Sequence, residues 1–170
     1  PSDENEARHL LTTAYLHKGP ASVRYPRGIG PNKKINEDLD PFDIGKAKLI
    51  VKGNPKIIIL NFGALIEEAK EVADTLELTL IDMRFVKPID EEILKEYLSN
   101  ADWFITIEDG SVMGGAGSSV QEFCSKEEID IKSILFGIPD KFIEHASREQ
   151  MIEDAGLSAN KIKSKLKKLL

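Results

Sequence analysis

The stretch IIILNFGALIEEAKEVADTLELTLIDM, residues 57–83, contains the pattern that decides the fold of this 170-residue chain. Its two ends are short apolar runs without polar alternation, which is typical of strands in a parallel sheet covered on both faces. Between these runs, apolar side chains recur at the spacing of an amphipathic helix: Leu65, Ala69, Val72 and Leu76. The stretch therefore predicts a strand–helix–strand unit.

The same alternation continues on both sides of this unit. Further apolar runs predict strands at KAKLIV (46–51), WFITIED (103–109) and IKSILFG (131–137). Helical patterns occupy PIDEEILKEYLSN (88–100) and SSVQEFCSKEE (118–128), and the chain beyond the last strand is also expected to be helical. The turn KGNPK is short enough to make the first strand antiparallel to its neighbour. The predicted fold class is α/β, a five-stranded, mostly parallel sheet with one antiparallel edge strand and helices on both faces.

The N-terminal part of the sequence has a different pattern. Ser2 and Asp3 are possible N-caps of a helix that ends at Gly19, and ASVRYPRG (21–28) is predicted to form a short strand. Residues 28–45 combine glycine, proline and mixed charge without periodicity, which indicates a linker.

These patterns predict three parts of the chain. Residues 1–30 are expected to be the helix-plus-strand tail of a preceding domain, 31–45 a linker, and 46–170 the α/β domain. The sequence lacks an initiating Met, so we expect it to be a piece of a longer protein.

Composition excludes several classes of function. The net charge of −6 disfavours nucleic acid as a partner, and no apolar run approaches the roughly 20 residues that span a membrane. The single cysteine, Cys124, excludes an internal disulfide and fits a reducing compartment, so we expect a cytoplasmic protein. Its position in a predicted helix favours a buried, inert thiol.

The run EDGSVMGGAGSS, which begins at Glu108, places a glycine loop between a strand and a helix. It has neither the Gly-Lys-Ser/Thr of a P-loop nor the spacing G-x-G-x-x-G, and Glu108 and Asp109 would repel an anion. The N–H groups of Gly117 and Ser118 could still bind an anion, or the hydroxyl of Ser118 or Ser119 could cap them. The pattern favours a close-packed structural turn.

Two arginines, Arg24 and Arg27, lie at the end of the predicted short strand. Two guanidinium groups can bind a phosphate bidentately, although salt bridges are the commoner use of such residues. Arg84 and Lys87 follow another strand and are interpreted as part of a structured loop. The three histidines show no spacing typical of a metal site.

Several stretches together resemble the C-terminal portion of the 1-deoxy-D-xylulose-5-phosphate synthase family, within the thiamine-diphosphate transketolase superfamily. The resemblance extends over essentially the whole chain. It is carried by PSDENEARHLL, GPASVRYPRG, ILNFGALIEEA, LIDMRFVKPIDEE, EDGSVMGGAGSSVQE and ILFGIPDKFIEHASREQMIEDAGL.

This resemblance implies a transketolase C-terminal-like domain within a three-domain, usually homodimeric enzyme. Such an enzyme condenses pyruvate with D-glyceraldehyde 3-phosphate to give 1-deoxy-D-xylulose 5-phosphate and CO2, with thiamine diphosphate and Mg2+ as cofactors. The product feeds isoprenoid, thiamine and pyridoxal biosynthesis. The chain would depend on the remainder of its own polypeptide, and its own role would be structural.

The resemblance also implies which residues carry function. The family's Gly-Asp-Gly…Asn cofactor motif is absent from this sequence, and its activating glutamate and catalytic histidines lie upstream of the matching segments. No catalytic, cofactor-binding or metal-binding residue is therefore assigned, and no cofactor is expected in this chain. Arg27 aligns with the position that holds the phosphate of the aldehyde substrate, with Arg24 as the alternative. The rival interpretations are a transketolase, a 2-oxoacid dehydrogenase β subunit, or a free-standing α/β binding module.

Overall fold

The computed structural model describes residues 1–28, 30–31 and 33–168. The described residues form five strands and six helices. The strands are β1 Lys48–Val51, β2 Asn54–Phe62, β3 Leu78–Asp82, β4 Trp103–Ser111 and β5 Lys132–Ile138. The helices are α1 Glu4–Leu16, α2 Ile66–Leu76, α3 Glu91–Leu98, α4 Ala116–Lys126, α5 Arg148–Asp154 and α6 Ala159–Leu166. The predicted tail, linker and C-terminal domain include Ile29, Asn32, Leu169 and Leu170, which lie outside the described residues.

The strands form one sheet in the order β1-β3-β2-β4-β5. Strand β1 is antiparallel to β3, and the other neighbouring pairs are parallel. The prediction of a mostly parallel, five-stranded sheet with one antiparallel edge strand is therefore confirmed.

The apolar runs arise because both faces of the sheet are covered. In β2, Ile58 and Leu60 pack on the face covered by α3 and α4, whereas Ile59 packs on the face covered by α2 and α6. Successive strand residues point to opposite faces, so a strand covered on both sides has no polar alternation. Cys124 is buried on the α4 side, as predicted.

The neighbour of β1 in space is β3, although β2 follows β1 directly in sequence. The short connection crosses the start of β3: Asn54 N donates to Glu77 O at 2.7 Å, and Gly53 N donates to Thr79 Oγ1 at 3.2 Å. A Cβ on Gly53 would lie 2.5 Å from Glu77 O and from Leu78 C. The glycine thus permits a close backbone crossing that the turn pattern alone does not reveal.

Helix α1 confirms the predicted N-terminal helix. Asp3, rather than Ser2, is its N-cap and accepts a hydrogen bond from Glu6 N. The side chains of Glu6 and Arg84 form an ion pair at 2.7 Å, and both are nearly buried. The Arg84 guanidinium lies 4.0 Å from the ring centroid of Phe42, which stacks on His9. Residues of the predicted linker thereby help to attach α1 to the α/β domain.

The predicted short strand at 21–28 is wrong for this chain, because no ladder pairs these residues among those that the structure describes. A strand needs a hydrogen-bonded neighbour, and the two edges of the sheet belong to β1 and β5. Within the described residues, no helix combines the length and apolar character needed to cross a membrane.

Replacing Gly53 by alanine should lower the free energy of unfolding by about 1–3 kcal/mol, because the new methyl group overlaps backbone atoms at the start of β3. Urea denaturation of the purified chain measures this change. Lys52→Ala, at the exposed neighbouring position, is the control and should leave the midpoint unchanged. Equal midpoints for both variants would contradict the crossing.

Candidate functional site

A cleft with a volume of about 640 Å3 lies where the strands β2, β3 and β4 end. Its walls are α1, the stretch 20–26 and the residues at and after the ends of these three strands. The carboxyl edge of a parallel sheet is where α/β proteins usually bind ligands. The cleft is therefore the candidate functional site.

The structure brings together charged residues that the sequence presents separately. Arg24, Arg84, Lys87, Glu108 and Asp109 all line the cleft. Their positions in the sequence indicate this grouping. Arg84, Lys87, Glu108 and Asp109 each lie at or just after the end of a strand, and these strand ends meet at one edge of the sheet.

The residues that line the cleft do not include Arg27. Its side chain is exposed and makes no hydrogen bond or ion pair with the part of the chain that the structure describes. Arg24 instead donates from Nη2 to the carbonyl oxygen of Asp109 at 2.6 Å. The two arginines that the sequence offers as alternatives therefore differ, because one is already engaged within the chain.

The carboxylate of Glu108 occupies the N-terminus of α4. Its Oε2 accepts a hydrogen bond from Ala116 N at 2.8 Å, and its Oε1 accepts one from Gly117 N at 3.2 Å. The first N–H groups of a helix have no partner within the helix and carry partial positive charge, so a carboxylate there is stabilising. Glu108 is only 4% exposed, which keeps this pair of hydrogen bonds away from water.

This geometry decides among the interpretations of the glycine loop. An external anion at Gly117 is disfavoured, because Glu108 already accepts from that N–H group. The alternative caps are wrong too: no hydroxyl of Ser118 or Ser119 caps the helix among the described contacts, and Ser118 N donates to Gly115 O. Glu108, expected from the sequence to repel an anion, is itself the anion at this helix.

Opposing effects act on the charge of Glu108. Burial raises the pKa of the carboxyl group, while the N–H donors of Ala116 and Gly117 and the charge of Arg24 oppose the rise. Both carboxylate oxygens of Glu108 accept backbone hydrogen bonds, and the side chain is buried, so the carboxylate is engaged in holding the helix N-terminus. An acid–base role for the pair Glu108 and Asp109 is therefore unsupported.

The glycines of the loop allow the backbone to close around this carboxylate. A Cβ on Gly115 would overlap the carbonyl oxygen of Ser111 and the Glu108 carboxylate. A Cβ on Gly117 would lie 2.6 Å from Thr106 Oγ1. The predicted close-packed structural turn agrees with these contacts.

A metal centre has no support within the described residues, where no group of three or more His, Cys, Asp or Glu side chains could hold an ion. His9 is instead engaged in packing, since its ring stacks on Phe42 and its Nδ1 lies 2.7 Å from Asp40 O.

Comparison with known proteins identifies relatives of the whole chain. Residues 45–162 match the family described as "Transketolase, C-terminal domain". The chain is 50% identical, over 92% of its length, to a 1-deoxy-D-xylulose-5-phosphate synthase of Pseudomonas fluorescens (strain Pf0-1). It is 48% identical over its full length to the synthase of the same name from Pseudomonas syringae pv. syringae (strain B728a). It covers 25% of the first relative and 27% of the second, so it spans about a quarter of their length.

A solved structure shares the fold. It is a chain described as "Split gene transketolase, inactive beta4 tetramer", with a TM-score of 0.87 and 29% sequence identity. The match covers 99% of the present chain and 55% of that chain.

Replacing Gly115 by valine should unfold or strongly destabilise the α/β domain, because its side chain overlaps Ser111 O and displaces Glu108 from α4. Thermal unfolding followed by circular dichroism measures the effect. Met113→Ala is the control in the same loop, since that side chain is 71% exposed. A Gly115→Val variant as stable as Met113→Ala would show that the loop is not close-packed.

Proposed function

The chain belongs to the transketolase C-terminal domain family, and we propose that it is the C-terminal part of a thiamine-diphosphate-dependent synthase. The whole protein would condense pyruvate with D-glyceraldehyde 3-phosphate to 1-deoxy-D-xylulose 5-phosphate, with release of CO2. The observation that carries this proposal is 45% to 50% identity over 92% to 100% of the chain to synthases of that name.

Within this activity, Arg27 is the proposed ligand of the substrate phosphate. Its guanidinium is exposed, and a guanidinium can donate two parallel hydrogen bonds to a phosphate. Arg24 is the alternative ligand, but its Nη2 already donates to Asp109 O beside two carboxylates. The contacts of Arg24 therefore favour Arg27.

Thiamine diphosphate and Mg2+ are the proposed cofactors of the whole protein, but the described residues of this chain do not fit them. The helix N-terminus that follows the glycine loop is the place among the described residues that resembles a diphosphate site, and the N–H groups of Ala116 and Gly117 there already donate to Glu108. We therefore assign cofactor binding to the remainder of the polypeptide and derive no step through these groups.

The proposed role of this chain in the synthase is structural. Helix α1 and the stretch 20–28 would complete a neighbouring domain, and the α/β domain would support that domain and the assembly of a homodimer. The chain alone would be inactive, and the reducing environment implied by its lone thiol fits the cytoplasm.

Transketolase activity is the alternative, favoured by the structural likeness to the split-gene transketolase. The 29% identity of that match is well below the identity to the synthases. Activity of the complete protein with pyruvate and glyceraldehyde 3-phosphate, compared with its activity with ketose donors, separates the two.

In the complete protein, Arg27→Ala should raise KM for glyceraldehyde 3-phosphate roughly 10- to 100-fold, because hydrogen bonds to charged groups are lost. KM for pyruvate should not change, since pyruvate carries no phosphate. Steady-state kinetics with each substrate varied in turn makes the measurement. Lys52→Ala is the control, because it also removes one positive charge but lies just before β2 begins, away from the carboxyl ends of the strands. Equal effects on both substrates would refute the phosphate assignment.

A further inference from the structure

We propose that the end of β4 forms a contact site for the Arg24 side chain, and that this contact positions the stretch that carries Arg27. The Arg24 contact site consists of Glu108, Asp109 and Gly110. In this role Arg24 is a positioning residue, and Arg27 alone binds the phosphate. The inference rests on the proposed function of Arg27.

The first observation is how the stretch 20–28 is held. Between described residues, it forms no strand ladder and no backbone–backbone hydrogen bond. The hydrogen bond from Arg24 Nη2 to Asp109 O, at 2.6 Å, therefore links this stretch to the α/β domain 85 positions further along the chain. Among the described contacts, the Arg24 side chain is therefore the hydrogen-bonded link that relates this stretch to the end of β4.

The second observation is the charge around the guanidinium. Arg24 lies beside the buried carboxylate of Glu108, whose charged form it stabilises, and it binds the carbonyl of Asp109. The Asp109 carboxylate in turn pairs with Arg148, with 3.4 Å between Oδ2 and Nη2. The Glu108 carboxylate would repel a substrate phosphate at the Arg24 guanidinium, while it favours the guanidinium itself.

The third observation is that the Arg24 contact site requires a glycine at position 110. A Cβ on Gly110 would lie 2.9 Å from Arg24 Nη1, and the next nearest atom, Glu108 Oε2, would be 3.5 Å away. The clash is therefore with the end of a flexible side chain and not with backbone. Gly110→Ala should displace Arg24 and leave the fold of β4 intact. The variant therefore distinguishes loss of the Arg24 contact from a general loss of stability.

The decisive experiment compares variants of the complete protein. Arg24→Met and Gly110→Ala should each raise KM for glyceraldehyde 3-phosphate roughly 3- to 10-fold, the effect expected from one lost hydrogen bond. They should leave kcat and KM for pyruvate unchanged, and Arg24→Lys should restore part of the loss because its ammonium can still donate to Asp109 O. Hydrogen exchange should become faster in residues 20–28 of the first two variants, and Ser111→Ala is the control on the same strand.

Combined variants test whether Arg24 acts through Arg27. Adding Arg24→Met to Arg27→Ala should cause no further rise in KM, because the residue being positioned is gone. A further multiplicative rise would show that Arg24 itself binds the phosphate and would overturn the proposal. So would unchanged hydrogen exchange in residues 20–28 of both Arg24→Met and Gly110→Ala.

The kinetics also separate this inference from the proposed function. If Arg27→Ala alone leaves KM for the phosphorylated aldehyde unchanged, the phosphate assignment fails and the positioning role fails with it. If Arg27→Ala raises that KM but Arg24→Met and Gly110→Ala do not, only the positioning role is overturned.

Discussion

The hydrogen bonds between the Glu108 carboxylate and the first N–H groups of α4 are the interaction on which the candidate site depends. Hydrogen bonds to a charged group contribute about 1.5–3 kcal/mol each, and here they offset part of the cost of burying the carboxylate, whose pKa burial still raises. They also fix the shape of the loop, because Gly115 and Gly117 must approach closely for the N–H groups to reach Glu108. Strand β4, the glycine loop and α4 thus form a turn in which the Glu108 carboxylate takes the position of a bound anion at the helix N-terminus.

This turn determines what the carboxyl edge of the sheet can bind. In many α/β proteins the positive helix end at this edge receives a phosphate, but here Glu108 and Asp109 make it a site for cations. Arg24 occupies that site from one side of the cleft, while the Arg84–Glu6 pair attaches α1 on the other. Both contacts help to hold the N-terminal segment against the α/β domain, and Arg27, the proposed phosphate ligand, takes part in neither.

The sequence predicts the layers of this fold well and the contacts between distant segments poorly. The apolar runs reveal the central strands because burial on both faces affects successive residues, as in Ile58 and Ile59, whereas the edge strand β1 has no buried residue. The pairing of β1 with β3 depends on a backbone crossing at Gly53. Residues 21–28 have a strand-like pattern but form no strand, because a strand also needs a hydrogen-bonded neighbour, which local sequence does not encode. The cap of α4 has no local sequence signal for the same reason, since Glu108 is eight residues from Ala116 and becomes its partner only when the loop folds back. The assignment of Arg27 came from resemblance to a family and not from any spacing.

An amide-resolved titration determines whether the Glu108 carboxylate closes the N-terminus of α4 to external phosphate. The 15N-labelled chain is titrated with inorganic pyrophosphate in the presence of Mg2+, and the resonances of Ala116 and Gly117 are followed. Because the Glu108 carboxylate already accepts from both N–H groups, these resonances should not move beyond the small, unsaturable drift caused by ionic strength. Saturable shifts centred on these two amides would show that the helix end binds external phosphate and would contradict the account.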